Sequence, residues 1–465
     1  MLMTIRRIIA IFSLASVSIW AQSGELGSMR DPRAANQQTT QSGAIQPWLA
    51  VTGNYETYID QPVSTLGSVY RSLTLSGGLS MAKAYQRTNV VLGYAGSGSD
   101  YLGRSAGIRE GWSSSNVANL AVSSQVARRL TLDFTESGGA ANGGFGSASA
   151  GLGAGGLGML PSLGVSSGFL FGGGAGLGGS SGLNPLQNNL VDADYYQKMT
   201  YFSSTSVGAG ILLSNRTMLN IGGSASFIRR DGRSFSDTDG VGANATLSTR
   251  FSHRFSAFVG YSFNRYKFIN SIGSTSVQGG FTGFHYALSP HDEFSLSVSD
   301  GYLDSKFAST VALPPDIALL LGVSTTTTVR SNSRSYLGGS LGYNHAFQRG
   351  GFDLTCSSSI APGNDLILMA RTHGCTISLS RSLSERLSIT GIGGMRRLSG
   401  LAQAGSRYDV LDGGLLFSYR IFSGVSLTAG AEYRTTQIHP STRSTSDVSA
   451  NGGLRWSPRD GVRLF

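Results

Sequence analysis

The chain has 465 residues, of which 65 are Gly and only 13% are charged, whereas ordinary soluble domains have about 7% Gly and about 25% charged residues. This composition excludes a typical cytosolic enzyme, an apolar fraction of 40% excludes a disordered chain, and two Cys are too few for a disulfide scaffold. The net charge of +10 comes mainly from Arg residues that are scattered without a basic run or a basic helix, so we expect no nucleic-acid partner.

The N-terminus has the features of a secretory signal peptide. Arg6 and Arg7 precede an apolar run over 8–21, and the small residue Ala21 provides a cleavage position. The run has 14 residues, fewer than the roughly 20 that cross a bilayer as a helix, so an uncleaved membrane anchor is the less favoured alternative. The predicted organisation is a signal peptide over 1–21, a periplasmic N-terminal segment over 22–46 and a folded unit over 47–465.

From there onward, apolar residues alternate with small or polar residues. Leu219, Ile221 and Phe227 take odd positions, for example, whereas Asn220 and Ser224 take even positions. Alternation with a period of two predicts β-strands that have one apolar face. The alternating segments run for about 10–15 residues, longer than most globular strands and long enough for a tilted strand to cross a membrane.

The connections between these segments alternate strictly between short and long. Outer-membrane barrels have tight turns at the periplasmic rim and long loops at the extracellular rim. The count predicts about 18 strands (16–18) in an all-β, antiparallel, up-and-down transmembrane barrel. Short periplasmic turns are predicted at 84–88, 127–129, 215–216, 252–254, 290–292, 348–350, 384–386 and 422–424. Long extracellular loops are predicted at 59–68, 97–115, 137–195, 231–239, 270–275, 304–334, 362–372, 400–408 and 439–445.

Four of the short turns share a local sequence, in which an apolar residue and a Ser precede a basic residue. This signature is the nearest feature of the chain to an internal repeat. It occurs at 213–216, 251–254, 288–291 and 383–386.

The signal peptide, the repeated hairpins and the terminal Phe465 together resemble a Gram-negative outer-membrane β-barrel of the porin-like type. The resemblance covers the chain from about Trp48 and is one of architecture, without a diagnostic residue motif. It implies a location in the bacterial outer membrane, contact with its lipid and lipopolysaccharide, insertion by the outer-membrane assembly machinery and passive channel activity. One departure concerns the C-terminus, where 456–460 has the sequence of another turn. Either the last strand ends near Trp456 and the remainder hangs in the periplasm, or a nineteenth strand is cut short.

The predicted inner face is small and polar, which suits a water-filled lumen. An aqueous lumen can hold charged side chains at little desolvation cost, whereas a dry core cannot. We therefore predict passive diffusion of small hydrophilic solutes, and we expect no enzymatic activity, cofactor or metal site. The charged residues predicted to line the lumen are Asp133, Arg396, Glu432, Arg434 and Arg455.

The two cysteines provide an internal test of strand register. Pairing Cys356 with Cys375 also pairs Leu354 with Ile377, so that all four side chains lie on the lipid side. Directly opposed strand residues approach closely enough for a disulfide, and the periplasm is oxidising. The alternative is two free buried thiols.

The segment 137–191 has no charged residue and contains 19 Gly. It is either a disordered low-complexity surface loop, a constriction folded into the lumen, or a patch for self-association into a homo-oligomer. The uncharged, Gly-rich composition of this segment also keeps a second function open, a non-conducting scaffold for surface display or adhesion.

A third function, an outer-membrane hydrolase, requires a nucleophile, a base and an orienting group that converge in space. Of the six His, we place His373 and His439 on the loop side, where they are the candidates for a catalytic base. Of the three functions, we favour the hydrolase least.

Overall fold

The computed structural model describes eleven stretches of the chain that form one β-sheet. No helix in these stretches is long and apolar enough to cross a membrane. The described residues are 44–58, 69–101, 112–142, 199–231, 237–269, 273–312, 325–362, 369–401, 407–439, 443–458 and 462–463. The strands are β1 Ala44–Tyr58, β2 Val69–Ala84, β3 Thr88–Tyr101, β4 Trp112–Ala127, β5 Leu130–Asn142, β6 Thr200–Leu212, β7 Thr217–Arg230, β8 Thr238–Arg250, β9 Phe255–Phe268, β10 Gly273–Ala287, β11 Asp292–Ala312, β12 Thr325–Phe347, β13 Gly350–Pro362, β14 Met369–Ser382, β15 Leu387–Gly400, β16 Arg407–Phe422, β17 Val425–His439, β18 Arg443–Trp456 and β19 Val462–Arg463.

The sheet closes on itself because its first strand pairs with its last long strand. β1 runs antiparallel to β18, from Leu49 opposite Trp456 to Tyr58 opposite Asp447, and antiparallel to β2 along its other edge. All the other long strands pair with their neighbours in chain order. Closure pairs backbone groups that would each cost several kcal/mol if they were bare in lipid. The predicted 18-stranded antiparallel barrel is confirmed.

All eight predicted turns join consecutive strands, whereas several strands extend further into the predicted loops than expected. β5 continues to Asn142, so the first residues of the Gly-rich segment belong to the wall. β11 continues to Ala312 and β12 begins at Thr325, which replaces most of the loop predicted at 304–334. These extensions arise because each residue pairs with a neighbouring strand, and pairing does not require clean alternation. The rest of both loops, 143–198 and 313–324, lies outside the described residues.

Near the C-terminus, the described residues follow one of the two predicted arrangements, a short nineteenth strand. β18 ends at Trp456 as expected, but β19 then pairs with β1, with Val462 opposite Ile45 and Arg463 opposite Ala44. Residues 462–463 thus form a short nineteenth strand beside β1, as the second predicted arrangement has it, and they do not hang free in the periplasm. β1 begins at Ala44, three residues before the expected boundary, and the predicted signal peptide lies outside the described residues.

The outer surface is apolar along the strands and aromatic near the turns. Ile221 and Val259 are about half exposed, as expected for side chains that face lipid instead of a protein core. Near the turns, the rings of Phe255 and Phe284 lie 5.9 Å apart, and those of Phe284 and Phe294 lie 6.0 Å apart. Aromatic girdles of this kind mark the membrane interface of transmembrane barrels.

Some polar side chains also lie on the outer face, and several of them are hydrogen-bonded within the wall. The Glu136 carboxylate accepts hydrogen bonds from Ser203 Oγ at 2.7 Å and from Thr205 Oγ1. Tyr94 Oη donates to Asn116 Oδ1 at 2.8 Å. Lipid tails offer no hydrogen bonds, so neighbouring strands must supply these partners.

Candidate functional site

The inner face of β1–β3 carries hydrogen-bonded polar side chains. Asn54 Nδ2 donates to Ser72 Oγ at 3.1 Å and to Thr74 Oγ1 at 2.8 Å. Thr74 also shares a hydrogen bond of 2.7 Å with Ser99 on β3. Each short side chain is fixed by its neighbour across the strand pair. This arc of the wall is therefore hydrophilic, as the alternation predicts.

All five charged residues predicted to line the lumen lie at inner-face positions, but the structure brings only three of them together. Asp133 lies on β5, and Arg455 lies near the turn end of β18. Arg396 on β15 and the pair Glu432 and Arg434 on β17 occupy one arc of the wall. The candidate site is therefore this arc.

In this arc, opposite charges lie in one row across three strands. Asp412 on β16 lies directly opposite Arg434, and Arg434 lies directly opposite Asp447 on β18. Gly394 pairs with Asp412, which places Arg396 diagonally from that carboxylate. Directly opposed Cβ atoms lie about 4.5–5.5 Å apart, close enough for the charges to interact strongly.

Asp412 and Asp447 are not among the five charged residues predicted to line the lumen. Their positions carry the same signal that assigned Arg434 to the lumen, because Asp412 follows the lipid-facing Leu411 and Asp447 precedes the outward-facing position of Val448. The alternation does not predict the strand register, which places Asp412, Arg434 and Asp447 in one row.

Arg455 lies against an aromatic ring on the inner face near the periplasmic rim. Its guanidinium is 5.3 Å from the ring centre of Trp48, and its side chain is buried. The Trp48 ring lies close over Gly78, where an added Cβ would stand 2.7 Å from Trp48 Nε1 and 2.2 Å from the carbonyl oxygen of Tyr94. Gly78 thus leaves room for a ring that holds the arginine.

The inner face of β9–β11 contradicts the expectation of a small and polar wall. Large apolar residues lie there among small and polar ones, and several are completely buried; Tyr266 is 1% exposed and Leu303 is 0% exposed. The apolar inner residues of this arc are Phe258, Tyr266, Phe268, Val277, Phe281, Leu303 and Phe307.

The physical reason is an overlap of the wall at its extracellular end. Pairing between β12 and β13 ends at Gly339 opposite Ser358, and the two strands separate above that point. Ile360, Met369 and Leu401 lie on the outward-facing side of β13–β15, yet they pack against the inner-face cluster that contains Leu303. The ends of β13–β15 therefore lie inside the wall of β9–β12.

Two polar contacts connect the same layers. Asn332 Nδ2 on β12 donates to the carbonyl oxygen of Leu401 at 3.3 Å, and Arg371 Nη2 on β14 donates to the carbonyl oxygen of Leu337 at 2.9 Å. The overlap lies on the apolar side of the barrel at its extracellular end, whereas the charged row occupies β16–β18.

The remaining predicted residues lie on the outer face or at the rim. A disulfide joins Cys356 and Cys375, whose Cα atoms are 4.0 Å apart on the lipid side. His373 lies on the outer face opposite Arg397, and His439 lies exposed at the extracellular end of β17 opposite Arg407. Within the described stretches, no cluster of three His, Cys, Asp or Glu side chains is arranged to hold a metal ion.

These features define an 18-stranded transmembrane β-barrel of the outer-membrane type, with short turns at one rim and a polar, charged arc facing the lumen. No protein-family model matches the chain, and no curated protein matches it.

Solved structures with a similar arrangement include OccAB4 of Acinetobacter baumannii, with 8% sequence identity over 90% of this chain and 99% of that chain and a TM-score of 0.40. The outer membrane protein opdK of Pseudomonas aeruginosa has 10% identity over 89% of this chain and 99% of that chain, with a TM-score of 0.40. The ferric-catecholate import receptor Fiu of E. coli K12 has 11% identity over 87% of this chain and 81% of that chain, with a TM-score of 0.38. Identities and scores this low assign neither a family nor a function to the chain.

Proposed function

We propose that the protein is an outer-membrane channel for the passive diffusion of small hydrophilic solutes. The observation that carries this proposal is the row of Asp412, Arg434 and Asp447 on the inner face of a closed 18-stranded barrel. A barrel of this size encloses an aqueous lumen. Charged side chains tolerate that environment, and they interact there with a passing polar solute.

The shape of the wall also supports a polar route along one side of the lumen. The overlap of β13–β15 with β9–β12 buries apolar residues at the extracellular end. The charged arc of β16–β18 adjoins β1, whose inner face continues into the hydroxyl-lined arc of β2 and β3. A hydrophilic solute would move along these arcs and avoid the apolar one.

Planar-bilayer recording of the refolded full chain tests the proposal. We expect stepwise conductance in KCl, and its absence at any voltage below membrane breakdown would contradict channel function. Ser449→Trp inserts a large ring at an inner position next to the charged row, whereas Ala450→Trp inserts the same ring on the outer face. The first variant should lower unit conductance and the second should leave it unchanged.

A scaffold for surface display or adhesion is the second candidate function, favoured by the uncharged, Gly-rich composition between β5 and β6. Ala141 lies opposite Thr200, so the two strand ends are adjacent and a short Gly-Ser linker can replace 143–198. If the scaffold hypothesis holds, this deletion abolishes cell-surface binding and leaves permeability unchanged. A change in conductance with unaltered surface binding would instead favour the channel.

A further inference from the structure

The outer faces of β11–β17 form a groove at the level where β12 and β13 begin to separate. Its volume is about 910 Å³. Leu296, Leu341, Met395 and Leu411 lie on one row of outward-facing positions along the groove. Met395 is 58% exposed, so the apolar row is open to the surrounding lipid.

A second row, one step nearer the extracellular rim, is cationic. Arg397 Nε donates to Asp409 Oδ1 at 2.9 Å, and Arg407 also pairs with Asp409. Arg371 lies beside them on β14 and donates to the carbonyl oxygen of Leu337 at 2.9 Å. One carboxylate thus pairs with two guanidinium groups, and Arg371 adds a third positive charge on the neighbouring strand, so the cluster keeps a surplus of positive charge.

The two rows lie at the depths of different parts of a lipid. A tilted strand rises about 2.5 Å per residue through the membrane. Met395 is eight residues above the periplasmic end of β15, which places it about 20 Å above the turns, within the roughly 25 Å apolar band. Arg397 is at about 25 Å, the edge of that band. By the same rise, the apolar row crosses the band obliquely, from Leu296 at about 10 Å to Leu411 at about 27 Å, and Arg407 lies at about 37 Å. The row therefore lies mainly at acyl-chain depth, and its upper end meets the arginines at and beyond the edge of the band.

We propose that this groove binds one anionic phospholipid of the surrounding membrane. Its acyl chain lies along Leu296, Leu341, Met395 and Leu411, and its phosphate accepts hydrogen bonds from Arg397 and Arg407. Guanidinium groups bind phosphate oxygens through paired, charge-assisted hydrogen bonds. The site lies outside the lumen, so this proposal holds or fails independently of channel function.

Native mass spectrometry of the full chain tests the site, with protein released from detergent micelles that contain dioleoylphosphatidylglycerol. We expect one lipid retained per barrel, and no retention of dioleoylphosphatidylcholine under the same conditions. The double variant Arg397→Gln/Arg407→Gln should weaken retention about 30-fold, because each arginine near an anionic lipid strengthens lipid binding by a factor of about five to six. Leu411→Trp fills the groove, keeps every cation and should also reduce retention.

The matched control is Arg265→Gln/Lys267→Gln, which removes two outward-facing cations of β9 outside the groove and should leave retention unchanged. Each variant is first shown to be folded by its heat-dependent shift in gel mobility. Equal loss in the control would mean general charge attraction and would overturn the proposal. So would normal retention in both groove variants, or displacement of the lipid by an equal concentration of inorganic phosphate, which would indicate a site for free phosphate.

Discussion

At the scale of single residues, serine hydroxyls complete the backbone hydrogen bonds of the periplasmic turns. Ser252 Oγ accepts hydrogen bonds from the backbone N–H groups of Arg254 at 3.2 Å and Phe255 at 3.0 Å. Ser214 and Ser384 do the same in their turns. The Ser of the repeated turn signature thus has a physical cause, since a side-chain acceptor replaces a missing backbone partner.

Ser252→Ala should lower the free energy of unfolding by about 0.5–1 kcal/mol, because two N–H groups lose their acceptor at an exposed site. Urea titration in detergent micelles measures this change. Ser423→Ala is the control, because its turn is formed by Gly424 at φ 88° and no hydrogen bond to the Ser423 side chain is seen in the described structure. Equal destabilisation by both variants would refute a specific role for Ser252.

The disulfide between Cys356 and Cys375 provides a second residue-scale prediction. Maleimide should not label the protein purified without reductant, whereas it should label two thiols after unfolding in reductant. Cys356→Ser/Cys375→Ser should keep the barrel folded, because Leu354 opposite Ile377 and the rest of the ladder still fix the register. One or two reactive thiols in the unfolded, unreduced chain would show that the bond does not form.

At the scale of elements, the alternation of residues predicted the strands and their turns but not the overlap of the wall. Period-two patterning reports which face of a strand is apolar, and it places Ile360 and Met369 on the lipid side. It contains no information on whether lipid or another strand covers that side. One signal of the overlap is present in β9, where Phe258 and Val259 are consecutive and both faces of the strand carry apolar residues. A strand that is apolar on both faces must be covered on both faces, by lipid or by protein.

The overlap can be tested at Met369, which is completely buried among apolar residues. Met369→Asp would leave an uncompensated charge in this cluster at a cost of about 3–5 kcal/mol. The ends of β13–β15 should then leave the lumen, and single-channel conductance should rise. Met369→Leu conserves the apolar contact and should conduct like the wild type. Unchanged conductance in a folded Met369→Asp barrel would show that the overlap does not narrow the lumen.

At the scale of the whole molecule, the barrel divides its circumference between two kinds of inner wall. Closure through β1 and β18 brings the N-terminal hydroxyl arc next to the C-terminal charged arc, although these are far apart in sequence. Composition predicts a basic protein, yet the described inner row alternates Asp412, Arg434 and Asp447. The excess of Arg therefore gives no direct measure of the charge that a solute meets in the lumen.

Ion selectivity should respond to this local row and not to net charge. Arg434→Glu changes the row by two charges and should raise the ratio of potassium to chloride permeability about threefold at low salt, with the effect decreasing as salt screens the wall. Arg265→Glu makes the same change on the outer face of β9 and should leave the ratio unchanged. Reversal potentials under a tenfold KCl gradient measure both. An equal shift in the two variants would mean that selectivity follows surface charge, and it would remove the row of Asp412, Arg434 and Asp447 from the conduction pathway.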